Sequence, residues 1–328
     1  MSRATGKVWI EQSSAGASGL LIAGTAAAVA KEQGSQHPEG IARCHGHHGE
    51  LFQGQIEHPD GTRRRCLVTL PCPAFYSEVC VRLNDSGTVT VCPGHKLKSR
   101  NAVALALAHL DAAGFGAHVI VTNNIEEGKG YGSSTADCVA AVRAAARALG
   151  RRLSDREVAR IVVASETASD NTMFSQTVLF AQREGIVVED YGRLFPRLAV
   201  VGADTAPCDK VDTLVYPPAQ YGWRHLHTFA TLIGALRRAM RTEDLDLLGR
   251  IATASSIIND NFLPKPVLPE LLRLSRAFGA LGVSVAHSGT VAGILLDSRK
   301  PHWRHQVDSL TSELAYLGLR KSVCFTTQ

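Results

Sequence analysis

Glu127-Gly128-Lys129-Gly130-Tyr131-Gly132-Ser133-Ser134-Thr135-Ala136-Asp137 holds three glycines at alternate positions, then two serines and a threonine, and runs straight into a helix-forming sequence. Glycine admits positive φ and close approach to the main chain, so successive N–H groups can turn toward one anion. The alanine-rich run from Ser133 to Leu149 has helical spacing and is closed by Gly150. Its first turn adds unpaired donors and the positive end of the helix dipole. Together these make a phosphate cradle, with serine hydroxyls placed to donate to phosphate or to coordinate magnesium. Other glycine patterns fit less well. The dinucleotide fingerprint lacks its third glycine, and the Walker pattern needs Lys followed by Ser or Thr where Gly130 follows Lys129. A Gly-x-Ser-x-Gly nucleophile elbow is absent. The bland alternative is a serine-capped turn before an ordinary helix.

Outward from the loop, His118 to Thr122 is a β-branched strand, and Cys66 to Leu83 alternates as strands broken by Pro71 and Pro73. Asn84-Asp85-Ser86-Gly87 is a turn, with Thr88 to Cys92 expected as a hairpin partner. Ser154-Asp155-Arg156-Glu157 is a capping box that opens a helix through Glu166. Gly185 to Val188 and Leu198 to Val201 read as strands, and the pattern changes between Tyr191 and Pro196. Beyond that point Leu226 to Met240, Asp244 to Asn259 and Pro269 to Leu281 have helical periodicity. Val283 to His287 and Gly293 to Asp297 are strands around a tight turn. The expectation is an α+β chain: an extension over 1–40, a first domain over 41–194 and a second over 195–328.

The bulk properties agree with an enzyme of two packed domains. The 328 residues exceed the usual single-core size, and 45% hydrophobic with 20% charged is an ordinary globular composition. Thirty-five basic against 30 acidic residues give +5, enough to attract anionic ligands but without the long basic tracts of a nucleic-acid-binding protein. Arg63-Arg64-Arg65 follows the turn Pro59-Asp60-Gly61 and reads as a solvated loop. Eight cysteines without a Cys-x-x-Cys pair point to reduced thiols and a cytoplasmic protein. The apolar stretch Gly19 to Ala30 is too short to span a bilayer and follows Glu11 rather than a basic segment.

With this loop the chain resembles the GHMP kinase superfamily (galactokinase, homoserine kinase, mevalonate kinase and phosphomevalonate kinase), whose members carry Pro-x-x-x-Gly-Leu-Gly-Ser-Ser-Ala in this role. The narrower resemblance is to the L-threonine kinases of that superfamily. It is carried by Gly49-Glu50-Leu51-Phe52-Gln53-Gly54, by Lys129-Gly130 with Ser133-Ser134-Thr135-Ala136-Asp137, and by Asp170-Asn171-Thr172-Met173-Phe174-Ser175-Gln176. Late in the chain it rests on Leu263-Pro264-Lys265-Pro266 and Val285-Ala286-His287-Ser288-Gly289-Thr290-Val291. The segments stand in family order over residues 41 to 297. One departure bears on the substrate: relatives have a proline-alanine-serine stretch before Gly-Glu-Leu, where this chain has His45-Gly46-His47-His48.

The resemblance implies a two-domain fold with ATP in the interdomain cleft and Mg2+ as its cation. The reaction it implies is phosphorylation of a small hydroxy-amino acid, L-threonine to O-phospho-L-threonine, with homoserine or a related acceptor as the alternative. That product would supply the aminopropanol linker of cobalamin-type cofactors. A homodimer is left open, and neither nucleic acid nor membrane is an expected partner. A ligand sensor that has lost turnover is the alternative of a different class. Gly128, Lys129, Gly130, Tyr131, Gly132, Ser133, Ser134 and Thr135 would bind the nucleotide, and Ser134 with Glu166 the magnesium, since one hydroxyl and one carboxylate suffice beside water.

Asp170 is the candidate proton acceptor, with Lys129 as its catalytic partner; a turn aspartate capping its own backbone is the plainer alternative. Glu50 would meet the substrate's ammonium group, and His45, His287, Ser288 and Gly289 would complete the substrate site. Lys265 would reach substrate or phosphate from a rigid loop. Cys44, His45, His47 and His48 are zinc-type donors, yet no second ligand pair supports them, so substrate contact or loop exposure is preferred.

Overall fold

The computed structural model describes residues 8–9, 38–58, 60–207, 219–319 and 321–328. The stretch Gly19 to Ala30, most of the expected extension over 1–40, Cys208 and Pro59 lie outside them. In chain order the elements are β1 (Val8–Trp9), β2 (Glu39–Glu57), β3 (Arg63–Asn84), β4 (Val89–Cys92), α1 (Leu97–His109), β5 (Gly116–Asn123), α2 (Ser133–Ala148), α3 (Asp155–Glu166), β6 (Gln176–Ala181) and β7 (Ile186–Leu194). They continue with β8 (Leu198–Asp204), α4 (Trp223–Thr242), α5 (Leu245–Asp260), α6 (Leu268–Ala277), β9 (Gly282–Val285), β10 (Val291–Asp297), α7 (Trp303–Tyr316) and β11 (Ser322–Thr326). The α+β expectation is met.

The long hairpin of β2 and β3 is the spine of one continuous sheet, ordered β1-β11-β8-β10-β9-β2-β3-β5-β4, with β6 on β3 and β7 on β6. The half formed by β8 to β11 joins the rest through the pairing Glu50↔Val285. Two strand expectations need correction. Pro71 and Pro73 do not break β3: its register steps from Tyr76↔His45 to Cys72↔Gly46, so the bulge takes up Pro73, while Pro71 stays in register opposite His47. Thr88 to Cys92 is not a hairpin partner of β3 either. The buried strand β5 takes the place beside β3, and β4 pairs with β5 in parallel.

Three apolar clusters fix the layers. Helices α1, α2 and α3 cover β2, β3 and β5, with Val103, Leu107, Val139 and Val162 against Val79, Val81 and Val119. Alanine-rich α2 approaches so closely that Gly40 is required on β2: a Cβ there would lie 2.1 Å from the Ala144 carbonyl oxygen. Helices α4 and α5 pack on the other part of the hairpin, where Phe229 meets Phe52 edge to face at 6.0 Å between centroids. Helices α6 and α7 bring Leu271, Leu274, Leu310 and Leu314 against Val283, Ile294 and Cys324. The caps follow the sequence: Ser154 and Glu157 form the capping box of α3, and Asp244 Oδ1 accepts from Leu247 N at 2.9 Å at the start of α5. Among the described residues no helix is long and apolar enough to cross a membrane.

Candidate active site

The start of α2, the bulged centre of β2 and the β9–β10 turn converge on a cleft of about 820 Å³. Gly128, Gly130 and Gly132 all have positive φ, at +77°, +94° and +70°. At Gly132, the residue capping α2, a Cβ would lie 2.2 Å from His47 Cδ2; at Gly130 it would lie 2.6 Å from Ala286 Cβ. The loop is therefore pressed between β2 and the β9–β10 turn. His47 N donates to Tyr131 O at 3.0 Å on one side, and Thr290 N donates to Lys129 O at 2.9 Å on the other. The same close approach demands glycine at 289, where a Cβ would stand 2.5 Å from Lys129 O.

The first turn of α2 carries no acidic residue, and its backbone donors have no helical partner. Ser133 Oγ is buried and has no hydrogen-bond partner among the described residues. One residue on, Ser134 Oγ donates to Glu166 Oε2 at 2.6 Å, and Thr135 Oγ1 donates to Glu166 Oε1 at 2.8 Å. Glu166 ends α3 and is buried. Burial pushes its carboxyl up to about 7 against the two hydroxyl bonds, and the Asp170 charge adds to the rise.

Asp170 lines the cleft next to this group, its backbone N donating to Thr135 Oγ1 at 3.3 Å. Its Oδ2 accepts from His47 Nε2 at 2.9 Å. Burial alone would raise the Asp170 pKa, but the His47 charge and hydrogen bond hold it at about 2. Burial alone would lower the His47 pKa, but the Asp170 and Glu50 carboxylates raise it to about 9. His47 is thus an imidazolium between two carboxylates, with Glu50 Oε1 3.7 Å from its Nδ1. His287 Nδ1, from the second half of the chain, lies 3.4 Å from the same Glu50 oxygen. His47, Glu50 and Asp170 are the described residues whose ligand-type atoms gather within 4.8 Å of one another.

Several sequence expectations are relocated. Gly128, Gly130, Tyr131, Gly132, Ser133, Ser134, Thr135, Glu166, Asp170, His287 and Ser288 all line the cleft. Lys129 does not. Its buried ammonium lies 2.8 Å from Asp204 Oδ2 and donates to the carbonyls of Ala206 and Pro207, so it clasps β8 to the loop. Glu50 is 1% exposed and stands behind His47 and His287, out of direct reach of a substrate. Gly289 contacts the back of the loop, and His45 lines a separate cavity of about 170 Å³ with Thr69 and Thr172.

The Cys44-His45-His47-His48 cluster is dispersed because successive residues of a strand face opposite ways. Cys44 Sγ contacts Thr172, and His48 packs against Gly202, Gly293, Tyr131 and Phe325 on the far face. Lys265 is buried 3.5 Å from Ala286 O, and burial pushes its pKa down to about 8 against the Asp260 charge.

Sequence reasoning missed Lys96, whose ammonium sits between Glu127 and Asp137 at 2.5 Å and 2.6 Å on the cleft wall. The pair Lys96-Leu97-Lys98 opening α1 was the available signal. It also missed Arg65 and Arg183, which line the same cleft.

The sequence matches "GHMP kinases N terminal domain" over residues 99–176 and "GHMP kinases C terminal" over 234–302. A protein named L-threonine kinase from Salmonella typhimurium (strain LT2) is 31% identical over 295 residues, covering 84% of this chain and 87% of that one. Another of the same name from Citrobacter freundii is 30% identical over 290 residues, covering 82% and 88%. A homoserine kinase structure from Cytophaga hutchinsonii superimposes with a TM-score of 0.67 at 16% identity, covering 90% of this chain and 96% of that one.

Proposed function

The chain belongs to the GHMP kinase family, and we propose that it transfers the γ-phosphoryl group of Mg·ATP to the side-chain hydroxyl of L-threonine, giving O-phospho-L-threonine and ADP. One observation carries this reading: the start of α2, the Ser134–Glu166 pair and the Asp170 carboxylate open onto a single cleft. A phosphate cradle, a hard-cation donor set and a proton acceptor thus share one site. The names of the two relatives support L-threonine as the acceptor.

The site's own atoms suit the ligands. The loop's left-handed glycines turn its amides, and buried Ser133 Oγ is left to bond a phosphate oxygen. Ser134 and Glu166 would hold magnesium, which would supply neutralisation of phosphate charge. Asp170 orients the acceptor hydroxyl and takes its proton while that oxygen bonds to phosphorus and the bond from phosphorus to the ADP oxygen breaks. His47 keeps Asp170 ionised and fixed. This weakens Asp170 as a base, but a loose phosphoryl-transfer transition state asks little of a base and much of position. Seven described cysteines are free thiols, which suits a cytoplasmic setting, and the product fits supply of an aminopropanol linker.

The test is ADP release across a panel of hydroxy-amino acids, sugars and mevalonate. L-threonine should give the highest kcat/KM, with serine about 10- to 200-fold poorer, the worth of one methyl in an apolar pocket. A clear preference for homoserine replaces the acceptor. Joint binding of ATP and a hydroxy-amino acid without ADP release replaces the enzyme with a sensor.

A further inference from the structure

The carboxylates beside the glycine loop have partners: Lys96 pairs with Glu127 and Asp137, and His47 with Asp170. Arg65 and Arg183 line the same cleft, as do Tyr221, Phe262 and Leu263. Main-chain bonds link Arg65 to the Asp170 segment: Ser169 N donates to Gln182 O at 2.9 Å, and Gln182 N donates to Arg65 O at 3.1 Å. Arg65 and Arg183 therefore flank, through Gln182, the segment that carries Asp170. Two such rungs span roughly 10 Å, much of which a long arginine side chain can cover.

Neither guanidinium meets a carboxylate among the described residues. Arg65 Nη2 donates to Ala219 O at 2.6 Å, and Arg183 is exposed to the cleft. Burial lowers the Arg65 pKa, Tyr221 acts against this, and the neighbouring Arg183 charge adds a smaller lowering. Two uncompensated cations beside an aromatic wall, a short way from the proton acceptor, form a place for the charged end of a small acceptor. The planar guanidinium fork matches a carboxylate.

We propose that Arg65 and Arg183 bind the carboxylate of the acceptor, so that the kinase selects hydroxy acids by their anionic end while Asp170 holds the hydroxyl. This rests on the kinase reading of the cleft. It assigns acceptor binding to β3 and the β6–β7 connection and leaves phosphate binding to the loop.

The test compares L-threonine with L-threoninamide, which keeps the hydroxyl, the ammonium and the size but carries no carboxylate charge. ADP release is measured for the wild type, Arg65→Met and Arg183→Met. The ratio of kcat/KM for threonine to that for the amide should fall about 10- to 100-fold in each variant, the worth of a hydrogen bond to a charged group, while the KM for ATP stays within a few-fold. A ratio unchanged within twofold in both variants overturns the proposal and leaves the kinase reading standing. Should Arg65→Met misfold through loss of its bond to Ala219, the exposed Arg183 decides alone. If the wild type releases no ADP with any hydroxy-amino acid, the kinase reading falls and takes this proposal with it.

Discussion

His47 and His48 are chain neighbours on β2, both almost wholly buried, yet they ionise in opposite directions. His47 faces the cleft between Asp170 and Glu50 and is raised to about 9. His48 faces the other way, between Gly202 and Gly293; burial lowers it to about 4, and neither ring nitrogen has a partner among the described residues. Burial penalises charge equally on the two faces, so what differs is the company. The cleft face supplies carboxylates and favours the imidazolium. The far face supplies aromatic rings and keeps a neutral imidazole. A single strand thus separates an electrostatic site from an apolar packing site by one residue.

The sharpest way to break the comparison is to push on the cleft face. Gly132→Val forces a side chain at φ +70° into the His47 ring, 2.2 Å from where its Cβ would lie. Nucleotide binding measured by calorimetry should be lost while circular dichroism stays near wild type; unchanged affinity would remove the loop from the site.

Next in size is Asp170→Asn, which keeps the shape and takes from His47 its closest carboxylate. Turnover should fall about 10²- to 10⁴-fold, roughly 3 to 5 kcal/mol of barrier, with ATP and acceptor still bound. Unchanged turnover would sink the catalytic assignment.

The far face offers a smaller, pH-dependent effect. Because His48 is lowered in the folded chain, its contribution is complete above the ordinary histidine pKa near 6.5 and is lost as pH falls from there through about 4. The loss is on the order of 3 kcal/mol. His48→Leu should flatten that part of the stability curve, read from urea unfolding at stepped pH, whereas a curve as steep as the wild type's would show that His48 is not the group being protonated.

The two faces also differ in how legible they were. The glycine loop, the helix it opens and the capping box at Ser154 are local, and local chemistry specifies them: left-handed glycines, a serine cap and an alanine run. The His47–Asp170 bond joins residues 123 apart, and no periodicity announces it. Lys129 sits in the middle of the loop and invites a phosphate, but its partner Asp204 lies in another strand, and a buried ammonium goes to the carboxylate it can reach. Residues Thr88 to Cys92 pair with β5 rather than β3 for a similar reason. The turn Asn84-Gly87 favours a hairpin locally, whereas the buried strand β5 fills that position in the sheet. Arg65 and Arg183 belong to segments that read as ordinary surface until the fold turns them into one cleft.

The seam at Glu50↔Val285 bears on how such a protein can be recombined. A chimaera that keeps residues 1–194 and takes its remainder from a relative inherits one half of a fitted joint. The retained Gly130 leaves room for no more than a small side chain at position 286, and the retained Lys129 carbonyl leaves room only for glycine at 289. The retained Glu50 needs a polar neighbour where His287 stands. A donor lacking these features brings a well-folded half that cannot seat, so crossover points in this architecture are set by a few contacts across the seam rather than by the gap between β7 and β8.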